Sequence, residues 1–296
     1  MADTSERPAA TKAVYRGMDR AALDAAYNNS AAVADSAELM ARGRERSAAV
    51  RAGPQARLDI PYGGRPRERL DYFSSGATKP PLVVFIHGGY WQRNDKDMFA
   101  FVADGPRPHG IDVALVGYTL APDVSLTDIV AEIHRSLTFL SDHADELGFD
   151  RDRLFVEGWS AGGHLTAMVA DHPACRGGIP ISGIFDLEPI ALSYLNEPLA
   201  LDPTEIATLS PLRVLPDHMP PLQVFVGGQE LPELKRQSAT YAEAARERGL
   251  PVTLTVLPGH HHFSILDEIS RPEGAITRAL VEMIDAKAVT TGHRYG

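Results

Sequence analysis

The sequence predicts an α/β fold, a mostly parallel, doubly wound sheet with helices on both faces. Three observations predict it. From about residue 82 onward, short apolar runs alternate with helical stretches, the rhythm of repeated strand–helix crossovers. Leu82-Val83-Val84-Phe85-Ile86 is apolar at every position, as in a strand covered on both faces. Lastly, Gly158-Trp159-Ser160-Ala161-Gly162 stands between an apolar run at 153–157 and a helical stretch at 163–170. Strand, tight glycine turn and helix is the context that lifts a serine hydroxyl above a parallel sheet.

The elements follow in order. Residues 1–55 read as a helical N-terminal extension or partial lid, with weakly amphipathic helices at 19–27 and 36–50. Tyr27-Asn28-Asn29 breaks them, as a helix end or as a lid element facing a site. The α/β domain spans 56–288. Strands are expected at 57–61 and 67–73, around Gly63-Gly64-Arg65-Pro66, then at 82–86, 111–118, 154–157, 178–182, 222–226 and 252–257. Helices are expected at 97–103, 126–146, 234–248, 265–269 and 275–286. In the long one, Ile129, Ile133, Leu137 and Leu140 share a face. Residues 186–220 break the rhythm with Pro189, Pro198, Pro203, Pro211, Pro216 and Pro220, and read as an irregular, pocket-shaping insertion. Residues 289–296 read as a frayed tail.

Composition narrows the function classes. An apolar fraction of 44% and a charged fraction of 23% over 296 residues describe an ordinary globule. A net charge of -10 argues against nucleic-acid and anionic-membrane partners. Cys175 is the only cysteine, so neither an intrachain disulfide nor a cysteine metal cluster is available, and it reads as a small buried residue. Residues 1–10 hold no apolar signal core, and no apolar run approaches the ~20 residues that span a bilayer. A cytoplasmic protein with a small-molecule substrate is expected; a homodimer is left open.

A serine nucleophile needs a base, a group orienting that base, and donors for the oxyanion. His87-Gly88-Gly89-Tyr90-Trp91 directly follows an apolar strand, so Gly88, Gly89 and Tyr90 N–H groups, with that of Ala161, are the candidate oxyanion hole. The base is sought after the last strand, in His260-His261-His262-Phe263. His262, at the helix entrance, is chosen ahead of His261 and His260. Adjacent histidine side chains cannot converge on one ion, so no metal is expected. The orienting acid is sought in Gly227-Gly228-Gln229-Glu230-Leu231-Pro232-Glu233. Glu230 stays in the loop, whereas Glu233 falls in a first helical turn opened by Pro232, where it complements the helix dipole. Asp267 competes, but lies beyond the base in the chain. His164 and Asp186 read as local hydrogen-bonding or capping residues, and Asp95 and Asp97 as helix caps. Tyr90, Trp91 and Trp159 flank the motifs and are candidate aromatic walls for the substrate.

Together, His87-Gly88-Gly89-Tyr90-Trp91, Gly158-Trp159-Ser160-Ala161-Gly162-Gly163-His164-Leu165 and His262-Phe263 resemble the α/β-hydrolase superfamily. Within it they resemble the branch of kynurenine formamidases (arylformamidases) and related esterases. Tyr-Trp after His-Gly-Gly separates that branch from lipases with a third glycine there. Ser182-Gly183-Ile184-Phe185-Asp186-Leu187 and Ser210-Pro211-Leu212 also resemble segments of it, and the likeness covers residues 82–269. The branch usually has Asp where Glu230 stands. The resemblance implies hydrolysis of an N-formyl arylamine, or of a small ester, through an acyl-Ser160 intermediate without a cofactor. The alternatives are a general carboxylesterase and a catalytically inert ligand receptor. The presence of Ser160, His262 and the Gly88-Gly89 pair favours an enzyme.

Overall fold

The computed structural model describes residues 12–292. One sheet holds β1 (Ala56–Pro61), β2 (Arg69–Phe73), β3 (Leu82–Ile86), β4 (Asp112–Val116), β5 (Leu154–Trp159), β6 (Cys175–Ile181), β7 (Leu222–Gly227) and β8 (Val252–Leu257), in spatial order β1-β2-β4-β3-β5-β6-β7-β8. β2 runs antiparallel to both β1 and β4, and the remaining neighbours are parallel. The chain leaves β3 for β4 on one side and returns to β5 on the other. Open α/β sheets bind their ligands outside the C-terminal strand ends at such a reversal.

Strands β3, β4 and β5 are buried along their whole length. Alternate residues point to opposite faces: Val84 and Ile86 join one apolar cluster, Val83 and Phe85 the other. The helix Leu126–Asp142 covers the first face through Ile129, Ile133, Leu137 and Leu140, all fully buried, and the Ser125 side chain caps it by accepting from Asp128 N. Burying each such side chain contributes about 1.5–3 kcal/mol. The stretch expected as one helix to residue 146 is broken at His143 and resumes as Ala144–Leu147. Residues 96–104 form a 3-10 helix, Lys96–Asp104, capped by Asp95, while Asp97 pairs with Lys96 and Arg51 instead. The last helix, Ala275–Gly292, runs past residue 289; residues 293–296 of the expected tail lie outside those described.

The N-terminal extension is bound into this body. Its helices are Arg20–Ala26, Asn29–Ala32 and Ser36–Arg51. The buried positions of Ser36–Arg51 are Ser36, Gly43 and Ser47, small residues that let it press on Lys96–Asp104. A Cβ on Gly43 would stand 2.9 Å from the Phe101 ring. Ser47 Oγ accepts a hydrogen bond from Phe101 N at 3.2 Å. Leu23 and Tyr27 are fully buried in the first apolar cluster. Among the described residues, no helix is long and apolar enough to cross a membrane.

Candidate active site

Four loops at the C-terminal edge of the sheet build the site. Ile86 pairs in register with Gly158, so the loops leaving β3 and β5 are neighbours. Gly227 pairs with Leu257, which does the same for the loops leaving β7 and β8. Ser160 heads the helix Ala161–Met168 with φ 59° and ψ −118°. Such a backbone costs a non-glycine residue about 1–3 kcal/mol and persists only where its surroundings enforce it. Here the enforcement is close packing: a Cβ on Gly158 would strike the backbone of Gly162, and one on Gly162 that of Ile86.

His262 Nε2 lies 3.1 Å from Ser160 Oγ, and His262 Nδ1 lies 2.8 Å from Glu230 Oε2. All three residues are buried. Since a carboxylate oxygen only accepts, Nδ1 carries the ring proton and Nε2 is left to take one from the serine. The other Glu230 oxygen accepts from Ser182 Oγ and from Gly227 N at 2.8 Å, so its acceptor sites are matched by donors. Trp159 Nε1 donates to His262 O at 2.8 Å and holds His262 from behind. The neighbouring histidines are engaged elsewhere. His261 Nδ1 accepts from Phe263 N and Ser264 N, and His260 Nε2 lies 3.4 Å from Glu268. Glu233 is tied to Arg236 and to the Tyr27 hydroxyl, and Asp267 opens the short helix Asp267–Ser270.

The side where the oxyanion donors are expected is set by one peptide plane. Gly88 O accepts from His87 Nδ1 at 2.9 Å and from Asn94 Nδ2 at 3.0 Å. The trans peptide is planar, so the Gly89 N–H points the opposite way, and Gly89 lines the cavity that holds Ser160 and His262. Among the described residues, no loop or turn hydrogen bond uses the N–H groups of Gly88, Gly89 or Ala161. The Ala161 N–H also lies at the positive end of a helix. Gly88 must be glycine, because a Cβ would fall 2.7 Å from Trp159 and 2.9 Å from Ser160 Cβ. His87 is sandwiched between the Phe99 and Tyr118 rings, and burial pushes its pKa down to about 4. It is a neutral donor that sets the loop.

The cavity, of about 510 Å³ and open to solvent, is lined by Gly89, Tyr90, Trp159, Ser160, His262 and Phe263 from the α/β domain, with Asn29, Ser30 and Met40 from the N-terminal extension. Arg93 and Asn94 complete its mouth. Two expectations are corrected here. Trp91 is not a substrate wall. It is fully buried and packs edge-on against His164, whose Nε2 bonds Leu209 O at 2.7 Å. Nor does any residue of 186–220 appear in this lining, because the N-terminal segment takes that place. The insertion instead braces neighbours: Leu195 O accepts from Gln92 Nε2, and Tyr194 N donates to Asp24. Asp186 is held by Arg213 at 3.0 Å and stands outside the cavity lining. Tyr90 and Trp159 do line the cavity. Sequence reasoning gave no site role to Ser182, Asn94 or Arg93, and reached Asn29 only within the break at 27–29, read as a helix end or a lid element facing a site. Only Asn29 carried a local signal, as part of the polar break in the N-terminal helices.

The chain is 32% identical to a kynurenine formamidase of Danio rerio over 257 residues, 82% of this chain and 85% of that one. A kynurenine formamidase of Salmo salar is 31% identical over 81% of this chain and 86% of its own. The BD-FAE family model matches residues 71–174. Among solved structures, a Silicibacter sp. protein provisionally assigned as a thioesterase superposes with a TM-score of 0.80 at 29% identity, covering 88% of this chain and 98% of that one. This chain's sheet is the expected α/β-hydrolase sheet, and the chain is a hydrolase of the formamidase or esterase type. By sequence likeness over most of both lengths, it belongs to the kynurenine formamidase family.

Proposed function

We propose that the protein deformylates an N-formyl arylamine, with N-formylkynurenine as the leading candidate. The hydrogen-bonded chain Ser160–His262–Glu230, facing a cavity lined by Gly89, carries the reading. Ser160 Oγ attacks the formyl carbon while His262 Nε2 takes its proton. The oxyanion is met by the N–H groups of Gly89 and Ala161, with Gly88 and Tyr90 N–H as further candidates. The tetrahedral adduct collapses, His262 returns the proton to the departing arylamine, and a formyl ester of Ser160 remains. Water, deprotonated by His262, attacks that ester; the bond to Ser160 Oγ breaks, His262 returns the proton to that oxygen, and formate leaves. Glu230 accepts from His262 Nδ1 and holds the imidazole in the working tautomer. No step calls for a metal or cofactor.

Arg93 supports a substrate with an anionic arm. It is exposed at the cavity mouth and pairs with no carboxylate among the described residues. A guanidinium so placed suits the carboxylate of an amino-acid side arm. Trp159 and Tyr90 offer aromatic wall to the aryl group. A cytoplasmic location, with a small molecule as partner, belongs to the same proposal, and the acidic net charge supports it. Hydrolysis of a simple ester is the second reading, favoured by the likeness to a thioesterase-assigned structure. Measuring kcat/KM on N-formylkynurenine and on nitrophenyl acetate separates the two. The formamide is expected to be preferred by at least about 100-fold, and the reverse order would establish the esterase instead.

A further inference from the structure

The Tyr90 hydroxyl has one proton, and it goes to Tyr27 O at 2.7 Å. Toward Asn29, 3.1 Å away, that oxygen can therefore only accept, so the Asn29 atom facing it is Nδ2. The amide orientation of Asn29 is thereby fixed, and its Oδ1 is the atom left over. Oδ1 is buried and receives no hydrogen bond among the described residues. Seven buried side-chain polar atoms share that condition, and Asn29 is the one among their residues that lines the cavity with Ser160 and His262. Asn29 itself is 5% exposed. A buried acceptor without a donor is uncommon and calls for a reason.

We propose that Asn29 Oδ1 accepts a hydrogen bond from the N–H of a bound secondary formamide, making Asn29 the residue that selects formamides over esters of the same shape. The inference rests on the formamidase reading above. A formyl anilide offers one N–H beside its scissile bond. A phenyl formate puts an oxygen there, whose lone pairs would face those of Oδ1. Sites built to hydrogen-bond a substrate group reject the analogue that lacks it, because their own buried group is then left unpaired.

The test compares kcat/KM for formanilide, phenyl formate and N-methylformanilide in wild type, Asn29→Ala and Asn29→Asp, with thermal midpoints taken for each. Asn29→Ala is expected to slow formanilide about 10-fold, the scale of one lost neutral hydrogen bond, and to leave phenyl formate within about 2-fold. Asn29→Asp, which retains an acceptor oxygen but loses the Nδ2 donor to Tyr90, is expected to keep more of the formanilide preference than Asn29→Ala. In wild type, needing no variant, N-methylformanilide is expected to be at least about 10-fold slower than formanilide, a gap that Asn29→Ala should close. Equal loss on formanilide and phenyl formate would overturn the inference alone, placing Asn29 as a support for Tyr90. An unchanged ratio would overturn it too. A wild type that cleaves phenyl formate and not formanilide would overturn both it and the formamidase reading.

Discussion

Glu230→Gln is nearly isosteric, yet the structure says it should stop turnover by reversing a tautomer. Two donors, Ser182 Oγ and Gly227 N, point at one carboxylate oxygen of Glu230. In the glutamine the amide oxygen must take that position to satisfy them. The amide NH2 is then turned to His262 Nδ1, 2.8 Å from the present oxygen. Facing a donor, Nδ1 becomes the acceptor, and the ring proton moves to Nε2. That nitrogen can no longer take the proton of Ser160, 3.1 Å away. An equivalent acid-to-amide exchange in a Ser-His-Asp hydrolase lowers kcat by about 10⁴, roughly 5 kcal/mol of transition-state stabilisation. The assay is kcat on a saturating formanilide or nitrophenyl ester, with the thermal midpoint as a folding control. Glu233→Gln, which touches Arg236 and Tyr27 but not His262, should cost less than about 10-fold in kcat. A Glu230→Gln enzyme that is folded and keeps more than about a tenth of wild-type kcat would refute the reasoning.

The same contacts carry other consequences. Gly88→Ala forces a Cβ against Trp159 and Ser160, and should lower kcat by about 10²–10³, the effect of losing one oxyanion donor, with KM little changed. Arg93→Ala should raise KM for N-formylkynurenine about 10-fold and leave formanilide, which has no carboxylate, unchanged; equal effects on both would remove Arg93 from substrate recognition. Glu157 is buried on β5, and desolvation alone pushes its pKa up to about 8. The folded state then holds a proton that the unfolded state has lost, so this residue makes stability fall as pH rises from about 4.5 through 8. Urea midpoints across that range should fall less steeply in Glu157→Gln than in wild type; parallel curves would show that Glu157 is ionised in the folded protein. His87 and His164 act with the opposite sign. Burial lowers both to about 4, so their contribution is complete above pH 6.5 and lost as pH falls through 4.

The strands and the Ser160–His262–Glu230 constellation were legible because each obeys a local rule. Runs such as 82–86 and 154–157 had to be strands buried on both faces, and Gly158 and Gly162 flank a serine where only a sharp turn would put them. Glu230 and His262 could be found because the fold fixes their order along the chain. Substrate-facing residues obey no such rule. Trp91 looked like a wall because it follows Tyr90, but it is fully buried, its ring edge-on to both Tyr90 and His164, and only Tyr90 reaches the cavity. The helix Ser36–Arg51 looked like a loose cover because its buried face is Ser and Gly, which leave no hydrophobic periodicity to read. The polar break at 27–29 hinted at a lid element, but the bond from Asn29 to Tyr90 spans 61 residues of sequence, so its partner was not legible locally. Prolines marked 186–220 as irregular, and irregularity alone did not say which surface it would cover.

The account stands on Ser160 as the nucleophile, and a fluorophosphonate probe tests that most directly. The wild-type protein is expected to gain the mass of one phosphonyl group, mapped by peptide mass spectrometry to Ser160, with activity lost in proportion. Ser160→Ala is expected to gain none. Equal labelling of the two proteins, or a label mapped to another serine with activity lost, would contradict it.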